Sequence, residues 1–410
     1  MLRLDNATQQ ARRKRQACCR KDFDKVLPVL TFEDFGCYQN SSNVRRCFVK
    51  KVADTSSPPY LRMKKREIDQ TLARWEGFFM SLGVERAYID VYLEYVSNLI
   101  RKDLPPIFDL KHLGALLGLK VDFLSAAIYS AESFYRNFEI PKRSGGQRQI
   151  TAPYPSLKYV QKWIYRNILS KIKVHGCVHG FVDHRSILTN AKVHIGQQCL
   201  LKLDLKDFFP SISMDWVVQV FKTMGYETQV AFSLASLCCY QGSLPQGSPA
   251  SPAISNIVAM HLDRRLYRLA KKFKLNYSRY ADDIAFSGER ICPKFITYVN
   301  DIIEDCGFSV NRSKIRLYKE HGNKILTGVS LSTGQPRIPR DYRRRLQKDL
   351  HYIDKYGIKG HMMHNKIRDP RYLESIIGRL GFWLMIEPDN TFAQGMMVKF
   401  REAKLASLEI

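Results

Sequence analysis

The stretch "RYADDIAF", residues 279–286, sets two adjacent carboxylates, Asp282 and Asp283, inside a run that otherwise reads as a strand. An acidic side chain in apolar surroundings is costly unless its charge is compensated. In a basic chain, arginine or lysine partners can do this. A divalent metal can also do it, because Mg2+ favours hard oxygen ligands and takes one or two carboxylates together with water and substrate phosphates. A hairpin turn with acidic tips would look the same in isolation, since aspartate is common in turns.

The rest of the chain narrows the choice. It has 410 residues, too long for one small domain and short for three, and its 45% hydrophobic content suffices for a sizeable core. Lysine and arginine number 65 against 39 acidic residues, a formal charge of +26. Such an excess points to a polyanionic partner, nucleic acid before an anionic membrane surface. No run approaches the ~20 apolar residues of a membrane span, and the basic N-terminus has no apolar stretch behind it, so it does not read as a secretory signal. The expectation is a cytoplasmic protein without membrane association. The ten cysteines include no CxxC pair, which signals neither zinc nor redox chemistry and suits reduced, mostly buried thiols.

Residues 1–22 form a basic arm whose run 12–15 is either a nucleic-acid contact or a solvated tail. A turn-rich stretch at 53–60 leads to helical periodicity over 61–100, and Pro105 and Pro106 end it. A further helical segment covers about 110–136. "FEIPKRSGGQRQITAPY" (138–154) carries a hairpin signal around Ser-Gly-Gly, with helices near 155–174. "CLLKLDLKDFF" (199–209) reads as a buried strand carrying Asp204 toward its end, and 214–240 is helical. "LPQGSPASPAISN" (244–256) is a loop entering a helix that runs to about 272. A strand pair over 275–287, a helix over 293–306, a short strand set and a basic helical C-terminus from 340 complete the chain. Strands and helices interleave without the regular period of a doubly wound sheet.

The order "LDLKDFF", "LPQGSPASPAISN", "YADD" resembles the palm of the bacterial retron-type reverse transcriptases. "IPKRSGGQRQI" is similar to that family's fingers hairpin. "HGFVDHRSILTNAKVHIG" resembles the segment before the palm, "ILTGVSL" the Val-Thr-Gly element with Leu326 in place of Val, and "LESIIGRLGFWLMIEPD" the start of the thumb. The resemblance covers about 110–390. It implies an α+β right-hand polymerase: a basic, mainly helical extension over 1–105, fingers over 106–198, a palm with a small antiparallel sheet over 199–336, and a helical thumb over 337–410.

It also implies roles for particular residues. Asp204 and Asp282 would hold two Mg2+ ions (Mn2+ as the alternative), with the Leu205 carbonyl as a further ligand and Asp283 in support. Two such ions about 4 Å apart can stabilise the attacking and leaving oxygens of an in-line phosphoryl displacement. Phe209 falls on the family's sugar-gate position and would clash with a ribose 2′-hydroxyl, so dNTPs would be the substrates. Gln246 and Gly247 would line the nascent base pair, and Lys142 and Arg148 would grip the triphosphate. Lys314 would donate a proton to the leaving pyrophosphate; a plain surface lysine fits that position too. Asn190 and His194 are spaced to share a helix face, for binding structured RNA or bracing the palm. A zinc site among His175, His179, His184 and His194 lacks any recognised ligand pattern. Tyr277 and Tyr280 would stack on bases or belong to the strand core. Arg343, Arg344 and Arg345 would track a duplex backbone, although a solvated helix face has the same composition.

The implied activity is an RNA-directed DNA polymerase that copies a structured noncoding RNA into cDNA through an RNA/DNA hybrid, in a retron or another anti-phage defence system. The N-terminal extension distinguishes the chain from compact retron enzymes and is open to RNA binding, self-assembly as a homo-oligomer, or docking of a toxin or effector protein. Two other functions share parts of this pattern: a template-independent or protein-primed DNA polymerase, and an RNA-binding scaffold that holds a toxin. Intact carboxylates, Phe209 and the Gln-Gly loop argue against the scaffold, which needs none of them.

Overall fold

The computed structural model describes residues 65–141, 145–320 and 322–406. The basic arm, the 53–60 turn and Lys142 lie outside them. The chain forms two compact units, one reaching to Ile107 and including Thr223–Tyr226, the other comprising Phe108–Lys222 and the chain from Glu227 onward.

In the first unit, helices α1 (Lys65–Ser81) and α2 (Arg86–Ile100) replace the single helical stretch read from the sequence. Gly83, at φ 71, takes the left-handed conformation that ends α1. Ile89, Val96 and Ile100 repeat on one face of α2 and are buried. The Lys102 ammonium donates to the Met224 carbonyl at 2.8 Å and the Tyr226 hydroxyl to the Pro105 carbonyl at 3.0 Å, which ties in the short 223–226 insert.

The second unit begins with α3 (Leu110–Leu117), capped by Asp109, whose carboxylate accepts from His112 N at 2.6 Å. Gly118, at φ 66, stops it, and α4 (Val121–Tyr129) follows. The helical reading to 136 gives way at Tyr135 to strand β1 (Tyr135–Pro141), which pairs antiparallel with β2 (Gln147–Pro153). Helices α5 (Pro155–Asn167) and α6 (Ile187–Lys192) lead to the central sheet; Ser186 and Thr189 form a capping box at the start of α6.

Four antiparallel strands make that sheet: β3 (Cys199–Asp204), β4 (Asn276–Tyr280), β5 (Asp283–Gly288) and β6 (Arg316–Tyr318), in the order β4-β5-β3-β6. Strand alternation sends Leu201, Leu203, Ile284 and Phe286 to one face. Helices α7 (Met214–Met224), α8 (Thr228–Cys238), α9 (Ser251–Val258), α10 (Met260–Lys272) and α11 (Pro293–Asp305) come from the intervening segments. Phe286 meets Phe295 of α11 edge-on at 5.0 Å, so α11 covers that face. The other face carries Leu200 and Ala285 into a core shared with the short pair β7 (Ile325–Leu326) and β8 (Val329–Ser330). Helices α12 (Arg340–His364), α13 (Tyr372–Ile386) and α14 (Thr391–Ala406) contribute Leu346 and Leu350, Leu380 and Trp383, and Met397 and Phe400 to the same core. Buried Glu387 pins this helical end, accepting from Ile338 N at 2.9 Å and from the Trp383 indole at 3.3 Å.

The strand set read over 308–318 is mostly irregular: a 3-10 turn over Arg312–Lys314 leaves only β6 and an isolated bridge from Leu205 to Val310. The fold class is α+β, as the sequence implies. Among the described residues no single helix is long and apolar enough to cross a membrane.

Candidate active site

The acidic residues meet where β3 ends and the β4–β5 hairpin turns. Register places Asp204 directly opposite Asp283, so both side chains leave the same face of the sheet. Ala281 and Asp282 form the two-residue turn, with Ala281 at φ 58. The Leu205 amide donates to the Asp282 carbonyl at 3.0 Å, and Asn311 N to the Asp204 carbonyl at 2.8 Å. These backbone bonds fix all three carboxylates to one another.

The Lys314 ammonium donates to both Asp204 oxygens at 2.9 Å. That contact raises the lysine's pKa, so the side chain stays charged. Burial, and then the nearby Asp204, raises the pKa of Asp282, while the Lys314 and Arg148 charges oppose the shift. Burial and the adjacent Asp282 push Asp283 up to about 6, with Lys202 opposing. Partly desolvated carboxylates that repel one another are short of positive charge. Among the described residues no three histidine, cysteine, aspartate or glutamate side chains converge as a self-sufficient metal cage. An open pair of hard oxygen donors fits Mg2+, which completes its shell with water and phosphate.

Other residues read from the sequence gather nearby. Phe209 is half-buried, in ring contact with Phe208 at 5.6 Å and Phe181 at 6.2 Å. Arg148 is exposed on β2 and close enough to act electrostatically on Asp282. The Gln246 carbonyl accepts from Thr151 N of β2 at 2.9 Å. Gly247 sits at φ 139, and a Cβ there would lie 2.7 Å from the Thr151 carbonyl. The space that requires glycine is therefore occupied by the hairpin strand itself. Leu205 is buried beneath the turn.

In two cases the structure decides between the alternatives that the sequence leaves open. Asn190 and His194 do not face RNA, because each is only 1% exposed. The Ser278 hydroxyl donates to Asn190 Oδ1 at 2.6 Å and so accepts from His194 Nε2 at 2.7 Å, which leaves His194 Nδ1 to accept from the Ser287 hydroxyl at 2.6 Å. Desolvation lowers the His194 pKa to about 3, and the neutral ring braces β4 against β5. Tyr277 is core rather than a stacking surface: it is buried against Phe286 at 5.0 Å and donates to Asp263 at 2.8 Å. Farther away, Arg344 and Arg345 are exposed on α12 and Arg343 is half-buried. Arg345 borders a cavity of about 610 Å³ together with Thr327, Tyr342, Arg379 and Phe382.

The sequence reading missed the network behind the turn. Arg279 is fully buried and makes a two-point pair with equally buried Asp263 of α10, donating at 2.8 and 2.7 Å. Its remaining nitrogen donates to the Ala281 carbonyl at 3.0 Å and to Asn256 Oδ1 at 3.1 Å. Asn256 in turn donates to the Gly180 carbonyl at 2.9 Å. An arginine in an apolar strand next to the paired aspartates was the available signal.

Residues 140–331 match the family model described as "Reverse transcriptase (RNA-dependent DNA polymerase)". The Retron Mx162 reverse transcriptase of Myxococcus xanthus is 34% identical over 315 residues, covering 67% of this chain and 63% of that protein. The Retron Ec86 reverse transcriptase of Escherichia coli is 34% identical over 266 residues, covering 63% of this chain and 83% of that one. For the Retron Mx65 reverse transcriptase of Myxococcus xanthus the identity is 38%, over 53% of this chain and 55% of the relative. The chain thus spans less than two thirds of the two Myxococcus proteins and most of the Escherichia coli one.

Proposed function

This chain belongs to the retron reverse transcriptases, and from that premise we propose that it copies a structured noncoding RNA partner into cDNA from dNTPs. The observation that carries this reading is the placing of Asp204 opposite Asp283 at the hairpin turn that bears Asp282, with Lys314 paired to Asp204. Asp204 and Asp282, with the Leu205 carbonyl, would hold two Mg2+ ions and Asp283 would support them. The bound ions would lower the pKa of the primer 3′-hydroxyl and neutralise charge on the pyrophosphate.

The chain's own side chains do the rest. Arg148, exposed on β2 beside the site, offers a fork of donors to triphosphate oxygens. Phe209, by the resemblance the gate residue, would meet a ribose 2′-hydroxyl and so favour deoxynucleotides. The Gln246–Gly247 backbone, held to β2, orients the nascent pair. Lys314 keeps its proton beside the site and can give it to the leaving pyrophosphate. The exposed arginines of α12 suit the backbone of an RNA/DNA hybrid. A role in anti-phage defence rests on the resemblance of this extended chain to defence-associated enzymes.

Purification from cells carrying the native flanking DNA, followed by sequencing of copurified RNA and DNA, tests the proposal. One abundant RNA with cDNA complementary to part of it is expected, lost in Asp282→Asn. RNA without cDNA, even with Mg2+ and dNTPs supplied, would sink the polymerase reading. Plating of phage on cells with wild-type or Asp282→Asn protein tests the defence role, and equal plating would refute it.

A further inference from the structure

Phe181 adopts φ 59, a left-handed conformation that bulky side chains rarely take. Its ring is 47% exposed, so burial of the ring does not account for the conformation. The backbone on either side does. Residues 177–179 run alongside β4, with His179 N donating to the Arg279 carbonyl at 2.8 Å and Arg279 N to the Cys177 carbonyl at 2.9 Å. Gly180 then passes so close to the acidic turn that a Cβ there would lie 2.5 Å from Ala281 N. Arg185 closes the loop by donating to the carbonyls of Gly176 and Val178. A strained residue persists where its surroundings over-determine it, and such residues gather at working sites.

The result is an exposed ring held next to the strand that leads into the acidic turn, 6.2 Å from the Phe209 ring and 6.5 Å from the Tyr280 ring. Both separations lie within the range of aromatic contact. Phe209 is therefore in ring contact with both buried Phe208 and exposed Phe181.

We propose that Phe181 is a positioning residue for sugar selection: it backs the Phe209 ring and keeps it against the sugar of the incoming nucleotide. The inference rests on the reading of Phe209 as a sugar gate. A gate rejects ribose only while its ring cannot turn away from the 2′-hydroxyl, and the Phe181 contact adds to the restraint that Phe208 supplies.

Single-nucleotide incorporation with a dNTP and the matching ribonucleotide tests this, using wild type, Phe181→Ala, Phe181→Tyr and Phe209→Val. The preference for deoxynucleotide in kcat/KM falls about twofold to tenfold in Phe181→Ala, the size of one lost aromatic pair. The loss comes mainly through a lower KM for the ribonucleotide. Phe181→Tyr restores the preference, and the thermal midpoint of Phe181→Ala falls by only a few degrees at most, because about half of the residue is already exposed. An unchanged preference, or an equal loss for both nucleotides, overturns the proposal. Phe209→Val separates the two ideas. If it fails to relax the preference, the gate reading falls and this inference with it; if it succeeds while Phe181→Ala does not, the role of Phe181 alone is wrong.

Discussion

Replacing Asp263 by asparagine would expose how much of the active turn depends on buried charge. Arg279 and Asp263 are both fully buried and joined by two hydrogen bonds of 2.8 and 2.7 Å. The substitution keeps the shape and removes the charge, leaving a guanidinium uncompensated away from water. Breaking such a pair costs about 3–5 kcal/mol. With a urea dependence of about 3 kcal/mol per molar, the unfolding midpoint falls by roughly 1–1.7 M. A companion variant, Asp263→Leu with Arg279→Met and Tyr277→Phe, removes both charges and the hydroxyl that Asp263 accepts from. Apolar replacement of a buried pair is often neutral or better, so most of the stability returns. The hydrogen bond from Arg279 to the Ala281 carbonyl does not return. A bond from a charged donor contributes about 1.5–3 kcal/mol, so polymerisation in the companion variant stays roughly tenfold to a hundredfold below wild type. Urea denaturation and primer extension, run side by side, separate the two effects. A midpoint shift below 0.3 M in Asp263→Asn (about 1 kcal/mol by the same urea dependence), or full polymerase activity in the companion variant, would refute the reasoning.

Three further outcomes follow from the same geometry. The folded-state pKa of Asp283 is raised to about 6 from an ordinary 3.8, so its favourable contribution is complete below pH 3.8 and is lost as pH rises through 6. Without divalent cation, Asp283→Asn should therefore be more stable than wild type at pH 8, by up to about 3 kcal/mol at about 1.4 kcal/mol per unit, with the difference vanishing near pH 4 in thermal melts. His194 is held neutral with its pKa lowered to about 3, so its contribution is complete above 6.5 and is lost as pH falls from 6.5 toward 3. His194→Leu, which strands Ser278 and Ser287, should cost about 1–3 kcal/mol in urea denaturation and leave RNA affinity in a filter-binding assay unchanged. Gly247→Ala drives a methyl group to 2.7 Å from the Thr151 carbonyl and forces a strained φ of 139; the Gln246–Gly247 loop should separate from β2, and steady-state kinetics should show a dNTP KM raised about tenfold, the equivalent of 1.4 kcal/mol.

The sequence by itself singled out the residues at the front of the candidate site. Asp204, Asp282, Asp283, Phe209 and the Gln-Gly loop are short local patterns whose order along the chain is distinctive, and strand alternation sets the face each side chain takes. Helix breaks at Gly83 and Gly118 passed unread because apolar periodicity continues across them, although each glycine takes a left-handed φ. Only the tertiary structure decided what stands behind the turn. Arg279 and Asp263 are 16 residues apart, and Asn190 and Ser278 are 88 apart; each pair meets because a helix crosses the sheet. Polar residues of these types are ordinarily exposed, so local sequence left His194 and Asn190 open between RNA contact and bracing of the palm, and only their burial decides for bracing. Burial is a property of what lies across the fold from a residue, and local sequence carries no record of it.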